Sequence, residues 1–219
     1  MSAAAPTILF DYWRSSASYR VRIALNTLAI PYETVAVDLL KQAHKGPAHV
    51  ARNPQGLVPV LAIDGLSLTQ SLGIIEYLDE TRPQAHFLPR DAPGRARVRT
   101  LAHAIAMDIH PVCNMSVTTH VMALTGGGEA ARRDWMRHYI GEGLAAFEAL
   151  LDHPATGRFC HGDAPTMADF CLAPQLFNAA RWGADISGLA RIRGIADRCD
   201  ALPAFAAAHP DRAASKPGG

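Results

Sequence analysis

Apolar positions along this chain change their spacing partway along it. Up to Thr81, short apolar runs of strand length alternate with stripes of helical period; beyond Gly94 only helical stripes recur. Thr7 to Phe10 is a β-favouring run, and after it Val21, Ala24, Leu25 and Leu28 recur at i, i+3, i+4 and i+7, the core-facing stripe of a helix. Tyr32 to Val37 reads as a second strand. The polar, basic stretch from Asp38 to Gln55, punctuated by Gly46, Pro47 and Pro54, predicts a short irregular helix within a long loop. Val58 to Ile63 and Leu66 to Leu68 flank Asp64-Gly65, a strong signal for a two-residue hairpin. Thr69-Gln70-Ser71 then leads into a helix from Leu72 to Thr81, striped by Ile74, Ile75 and Leu78.

A βαβ unit followed by ββα describes a thioredoxin-like fold. Pro59 bears on it, because a trans proline inside a strand pattern would remove a ladder donor. A cis Val58-Pro59 bond resolves the conflict by turning the chain tightly; an edge strand with a trans proline is the alternative. Arg82 to Gly94, rich in proline, reads as a linker. Helices follow: Arg95 to His110, which Pro111 should kink or end; a stretch to Leu124, broken at Gly126-Gly127-Gly128; and Glu129 to Leu151, with Trp135, Tyr139, Leu144, Phe147 and Leu151 as core contacts. Thr166 fits an N-cap with Asp169 at N3, opening a helix that reaches Trp182. Ile192, Ile195, Ala196 and Cys199 stripe a last helix, and His209 to Gly219 reads as loose. The expected organisation is an α/β thioredoxin-like domain over 1–86 and an all-helical domain over 87–219.

Charge narrows the function. Lys and Arg number 21 against 20 Asp and Glu, so no polycationic field points to nucleic acid or an anionic membrane. No apolar run reaches membrane-spanning length, and M-S-A-A-A-P-T lacks the basic-then-apolar pattern of a secretory signal, so a cytoplasmic protein is expected. The four cysteines, Cys113, Cys160, Cys171 and Cys199, have no metal-like spacing, and no metal is expected. A thioredoxin-like domain without one cysteine cannot run disulfide exchange on its own thiols, so any sulfur chemistry needs a thiol brought in as a ligand. Ser15 and Ser16 sit where a helix begins. Capping explains them; so does an anion held at the helix N-terminus, with Arg14, Arg20 and Arg22 adding positive charge.

The stretch S-S-A-S-Y-R-V-R-I-A-L from Ser15 resembles the S-S-C-S-W-R-V-R-I-A-L signature of the zeta-class glutathione transferases, which include maleylacetoacetate and maleylpyruvate isomerases. N-P-Q-G-L-V-P at 53 to 59, Q-S-L-G-I-I-E-Y-L-D-E at 70 to 80 and M-A-D-F-C-L-A-P-Q at 167 to 175 extend the likeness over nearly the whole chain. The resemblance implies a cytoplasmic homodimer that uses glutathione to isomerise a small dicarboxylate in aromatic catabolism. It implies Ser15 as the catalytic serine, Ser16 and Ala17 lining its turn, Val58 and Pro59 at the cysteinyl part of glutathione, and Gln70 and Ser71 at the γ-glutamyl end. It places His44 near the glycyl end, His110 and Asn114 as helical-domain contacts, and Arg181 on a substrate carboxylate; Arg14, immediately before the serine turn, is placed by sequence to hold the other. Ala17 stands where many zeta members carry Cys, which removes any enzyme thiol there. A general transferase for electrophilic acids and a non-catalytic glutathione-binding module are the rival readings.

Overall fold

The computed structural model describes residues 6–214. The residues up to Ala5, read above for a signal, and the tail from Ser215 lie outside the described residues. In chain order the elements are β1 (Ile8–Asp11), α1 (Ser16–Thr27), β2 (Glu33–Ala36), a 3-10 turn (Ala43–Lys45), α2 (Pro47–Val50), β3 (Val60–Ile63), β4 (Leu66–Thr69) and α3 (Ser71–Thr81). Then come α4 (Ala92–His103), a π-helical segment (Ala104–Ile109), α5 (His110–Val112), α6 (Met115–Thr125), α7 (Gly128–Leu150), α8 (Met167–Trp182), α9 (Ala190–Asp200), α10 (Pro203–Ala208) and α11 (Pro210–Ala214).

The chain forms two compact units: one holds the chain up to Phe87 together with the chain from Ala201 on, the other is Leu88–Asp200. The C-terminal segment therefore belongs with the sheet, not with the helical domain that the sequence pattern suggested. Its reason is visible in α1, which is buried nearly all round rather than on one stripe. The stripe expected from the sequence, Val21, Ala24, Leu25 and Leu28, is buried. On another side α10 packs against α1, supplying the Ala208 carbonyl to Arg22 Nε at 3.0 Å and the Ala204 carbonyl to Asn26 Nδ2 at 3.3 Å. The stretch read as a loose tail continues into α11, with Pro210 and Ala213 buried. The stretch read as a linker also carries core, since Phe87 and Leu88 are buried.

In the first unit the strands lie in the order β2-β1-β3-β4; β1 runs parallel to β2 and antiparallel to β3, and β3 and β4 form the expected hairpin. Asp64 and Gly65 both adopt positive φ, at 54° and 78°, the pair of left-handed residues that a tight hairpin matching strand twist requires. The Val58-Pro59 peptide is cis.

In the helical unit α8 packs against α4, α7 and α9. Its start is a capping box: Asp169 accepts from the Thr166 N–H at 2.7 Å, the Thr166 hydroxyl at 2.9 Å and the Cys160 N–H at 2.9 Å. Burial holds the Asp169 carboxyl above its ordinary pKa although these three donors pull the other way. The helix expected over Arg95 to His110 is α4 followed by the π-helical segment. Pro111 has no N–H for the Met107 carbonyl and its ring crowds that group, so the chain widens beforehand, and the His110 N–H reaches back five residues to Ile105. Along α7 the core positions are Met136, Ile140, Leu144 and Phe147. Trp135 and Tyr139, expected there, are half-buried and meet at a tilt of 50° with ring centroids 4.5 Å apart, and the Trp135 indole N–H donates to the Val112 carbonyl.

Candidate active site

Sheet register decides which loops meet. Phe10 pairs with Val60 in antiparallel fashion and Val60 pairs with Thr69, so the chain leaves β1 toward Ser15, enters β3 from Val58 and leaves β4 toward Gln70 at one end of the sheet. Strand β2, parallel to β1, releases the loop carrying His44 at that end too. The first unit's candidates are thus brought together by topology, and α1 and α3 both begin there.

Ser15 is the N-cap of α1, its Oγ accepting from the Ser18 N–H at 3.2 Å. Capping accounts for that lone pair but leaves the hydroxyl proton available to a ligand. Ser16 is the first helical residue and is buried; Ala17 follows, half-buried. At α3 the cap position is Gln70, at φ 66° and ψ 112°, and its side chain makes no cap bond. The first N–H groups of α3 therefore have no side-chain acceptor, which suits a ligand carboxylate. Gln70 Nε2 instead donates to Gln55 Oε1 at 2.7 Å. Ser71 is buried, with its hydroxyl accepting from Arg20 at 3.2 Å.

Two of the three arginines read as a field around Ser15 do other work. Arg22 is buried in an ion pair with Asp11, at 2.6 and 2.9 Å, and also donates to the Trp13 and Ala208 carbonyls. Arg20 lies buried beneath Ser71. Arg14 alone stays beside the turn, donating to the Tyr12 hydroxyl at 2.7 Å and stacking over Trp13 at 4.7 Å. With Tyr12, Trp13, Val37 and Leu40 it walls a cavity of about 450 Å³.

His44 is buried in the 3-10 turn, and burial, helped by Lys45 and His49, pushes its pKa down, so it is neutral at pH 7. Val58 lies outside the ladder, which begins at Val60, and Pro59 is buried. In the helical unit, Asn114 caps α6, its Oδ1 accepting from the Ser116 N–H and hydroxyl, both at 3.0 Å. His110 opens α5, and the exposed Arg181 stacks over Trp182 at 5.0 Å. A second opening, of about 510 Å³ between α9 and the turn at 151–157, is lined by Asp152 and Arg191, already paired with each other, and carries no candidate chemistry.

The sequence reading assigned no role to His49 or Asn53, both buried and both bonded to the Leu57 carbonyl. Asn before Pro54 was the available signal, since Asn favours a turn in which its side chain takes an N–H two residues on, here that of Gln55 at 3.1 Å. The four cysteines are free and buried; burial raises the thiol of Cys113 to about 11 and those of Cys160 and Cys199 well above their ordinary value. Among the described residues no cluster of His, Cys, Asp or Glu could hold a metal ion, and no helix is long and apolar enough to cross a membrane.

A thioredoxin-like unit with a serine at its first helix start and no cysteine of its own, joined to a helical unit, is the layout of the glutathione transferases that the sequence resembles. Comparison with known proteins agrees. Residues 5–80 match the glutathione S-transferase N-terminal domain and residues 133–208 the glutathione S-transferase C-terminal domain. The chain belongs to the glutathione S-transferase family. Maleylacetoacetate isomerase of Rhizobium meliloti is 63% identical over 207 residues, covering 94% of this chain and 97% of that protein. Among solved structures, the holo form of a maleyl pyruvate isomerase, described as a bacterial zeta-class enzyme, superposes with a TM-score of 0.91 at 43% identity, covering 94% of this chain and 97% of the other. A maleylacetoacetate isomerase from Methylobacterium extorquens AM1, solved with malonate and glutathione bound, also gives 0.91, at 40% identity, covering 97% and 99%.

Proposed function

We propose that the protein is a glutathione-dependent cis–trans isomerase of maleyl diketo acids, maleylacetoacetate or maleylpyruvate, serving the breakdown of aromatic compounds. The observation that carries this reading is Ser15 at the start of α1, facing the sheet end where Val58 and Gln70 emerge, in a chain whose own thiols are all buried. Bound glutathione supplies a thiolate that adds to the cis double bond and leaves again once the bond has turned.

The residues have to lower a thiol pKa and hold a dianion. Lowering a thiol from its ordinary value near 8.5 needs about 1.4 kcal/mol per unit. A charge-assisted hydrogen bond from the Ser15 hydroxyl supplies about 1.5–3 kcal/mol and the helix N-terminus about 0.3–1, so no protein base is required. Ser16 and Ala17 line the thiolate turn. Val58, set by Pro59, offers its main chain to the cysteinyl part. Gln70 and Ser71 take the γ-glutamyl carboxylate at the uncapped start of α3, and Arg20 beneath Ser71 adds positive potential there. His44, being neutral, meets the glycyl end as a hydrogen-bond partner rather than a cation. Arg14 and Arg181 hold the substrate carboxylates, since a planar guanidinium binds a carboxylate bidentately. For His110, Asn114 and Arg181 the support is the sequence match. Ala17 in place of Cys leaves this chemistry intact, because the nucleophile is the ligand's sulfur. We further propose a cytoplasmic homodimer, which the family resemblance and four free thiols support.

The test is a steady-state assay of maleylacetoacetate and maleylpyruvate with glutathione far below substrate. Many turnovers per glutathione with no loss of free thiol are expected. Thiol consumed in step with substrate would make the protein a conjugating transferase, and tight glutathione binding without turnover a binding module.

A further inference from the structure

His49 and Asn53 converge on one oxygen. His49 Nε2 lies 2.9 Å from the Leu57 carbonyl and Asn53 Nδ2 donates to the same carbonyl at 2.9 Å. Both side chains are buried, at 4% and 3% exposure, in a loop otherwise largely open to solvent. Burying two such groups is unfavourable unless they are bonded, and here they fill both lone pairs of one main-chain acceptor. Facing a carbonyl, His49 Nε2 must carry its proton, which fixes the tautomer.

We propose that His49 and Asn53 are positioning residues that aim the Val58 N–H at the cysteinyl carbonyl of glutathione; this rests on the reading that Val58 meets that part of the ligand. The Leu57–Val58 peptide is planar and trans, so its C=O and N–H point in opposite directions. Two inward donors gripping the Leu57 oxygen therefore turn the Val58 N–H outward, where Val58 is half-exposed and lies ahead of the first ladder pair. One loop also couples this group to the other end of the ligand. Asn53 Oδ1 accepts from the Gln55 N–H at 3.1 Å, Lys45 donates to the Gln55 carbonyl at 3.3 Å, and the Gln55 side chain accepts from Gln70 at 2.7 Å. Gly56 closes the turn at φ 60°, where a Cβ would sit 2.9 Å from the His44 carbonyl. A shift of Asn53 thus moves the cysteinyl contact and the γ-glutamyl contact together.

The experiment compares the affinity of the full chain for S-methylglutathione with that for its thioamide analogue, in which the cysteinyl C=O is C=S, a weak acceptor. Wild type should prefer the oxo ligand by about tenfold, the worth of one hydrogen bond. Asn53→Ser keeps an acceptor for the turn but cannot reach Leu57. His49→Leu removes the other donor, and His49→Gln retains a donor at similar reach. Asn53→Ser and His49→Leu should lose the preference and show a raised KM for glutathione with a smaller fall in kcat, whereas His49→Gln should restore both. No preference in wild type would overturn the Val58 reading and the proposal with it. A preference kept by Asn53→Ser while wild type shows it would overturn the clamp alone. Should His49→Leu fail to fold, Asn53→Ser and His49→Gln decide the matter.

Discussion

Ser15 uses one hydroxyl for two purposes: its oxygen caps α1 through the Ser18 N–H, and its proton is left for a ligand sulfur. A substitution that keeps the first purpose and spoils the second separates them. Aspartate caps a helix as well as serine but offers no proton at neutral pH and sets a negative charge beside the thiolate. Ser15→Asp should hold folding stability within about 0.5 kcal/mol and still lose isomerase turnover by at least about tenfold, the effect of one lost charge-assisted bond. Denaturant unfolding and kcat measured together check it; equal turnover in Ser15→Asp would reduce Ser15 to a cap. At this scale the sequence was a fair guide to which loops matter and a poor one to which charges do. Arg14, Arg20 and Arg22 look alike within one motif. Only the fold shows that Arg22 is consumed by Asp11 and two carbonyls, one of them 186 residues away, and that no local pattern encodes such a partner.

Helices with a plain 3.6-residue stripe could be read from the chain, as could the Thr166–Asp169 capping box and the Asp64-Gly65 hairpin, because their causes lie within a few residues. The π-helical segment before His110 could not, since it needs Pro111 and a neighbour that tolerates the swelling. That neighbour is α7, where Gly143 presents bare backbone: a Cβ built on it would run into the Ile109 side chain. In an open helix Gly→Ala would stabilise by about 0.5–1 kcal/mol. Here Gly143→Ala should instead destabilise by about 1–3 kcal/mol through overpacking, and Ile109→Val in the same chain should recover part of the loss. Thermal unfolding of the single and double variants tests this, and stabilisation by Gly143→Ala alone would refute the close approach. Trp135 and Tyr139 teach a related point, for apolar spacing selects a helix face while leaving open how deep each ring on it sits.

Across the whole molecule, acid should loosen both units. His44 in the first and His161 in the second are held neutral mainly by burial, with pKa values below the ordinary 6.5. The unfolded chain then binds more protons than the folded one below about pH 6.5, so stability must fall as pH drops through that value and level off below the folded pKa values. Urea midpoints at pH 7.5, 6.5 and 5.5 should decline in that order, and His44→Gln should flatten the first unit's share; a midpoint independent of pH would contradict the desolvation of the two rings. The two-domain layout was legible from the change in apolar spacing, but the return of the C-terminal segment to the sheet unit was not, because α10 shows no sequence trace of its partner α1. That return bears on how the protein is made. Arg22 and Asn26 wait for carbonyls 186 and 178 residues downstream, and at a ribosomal pace of about 5–20 residues per second the wait lasts roughly ten to forty seconds. Helix α1 is therefore made well before the partner that completes it, and a nascent chain stalled before Pro203 would present an open flank of α1, with a buried-type arginine short of one acceptor, to whatever chaperones attend the exit tunnel.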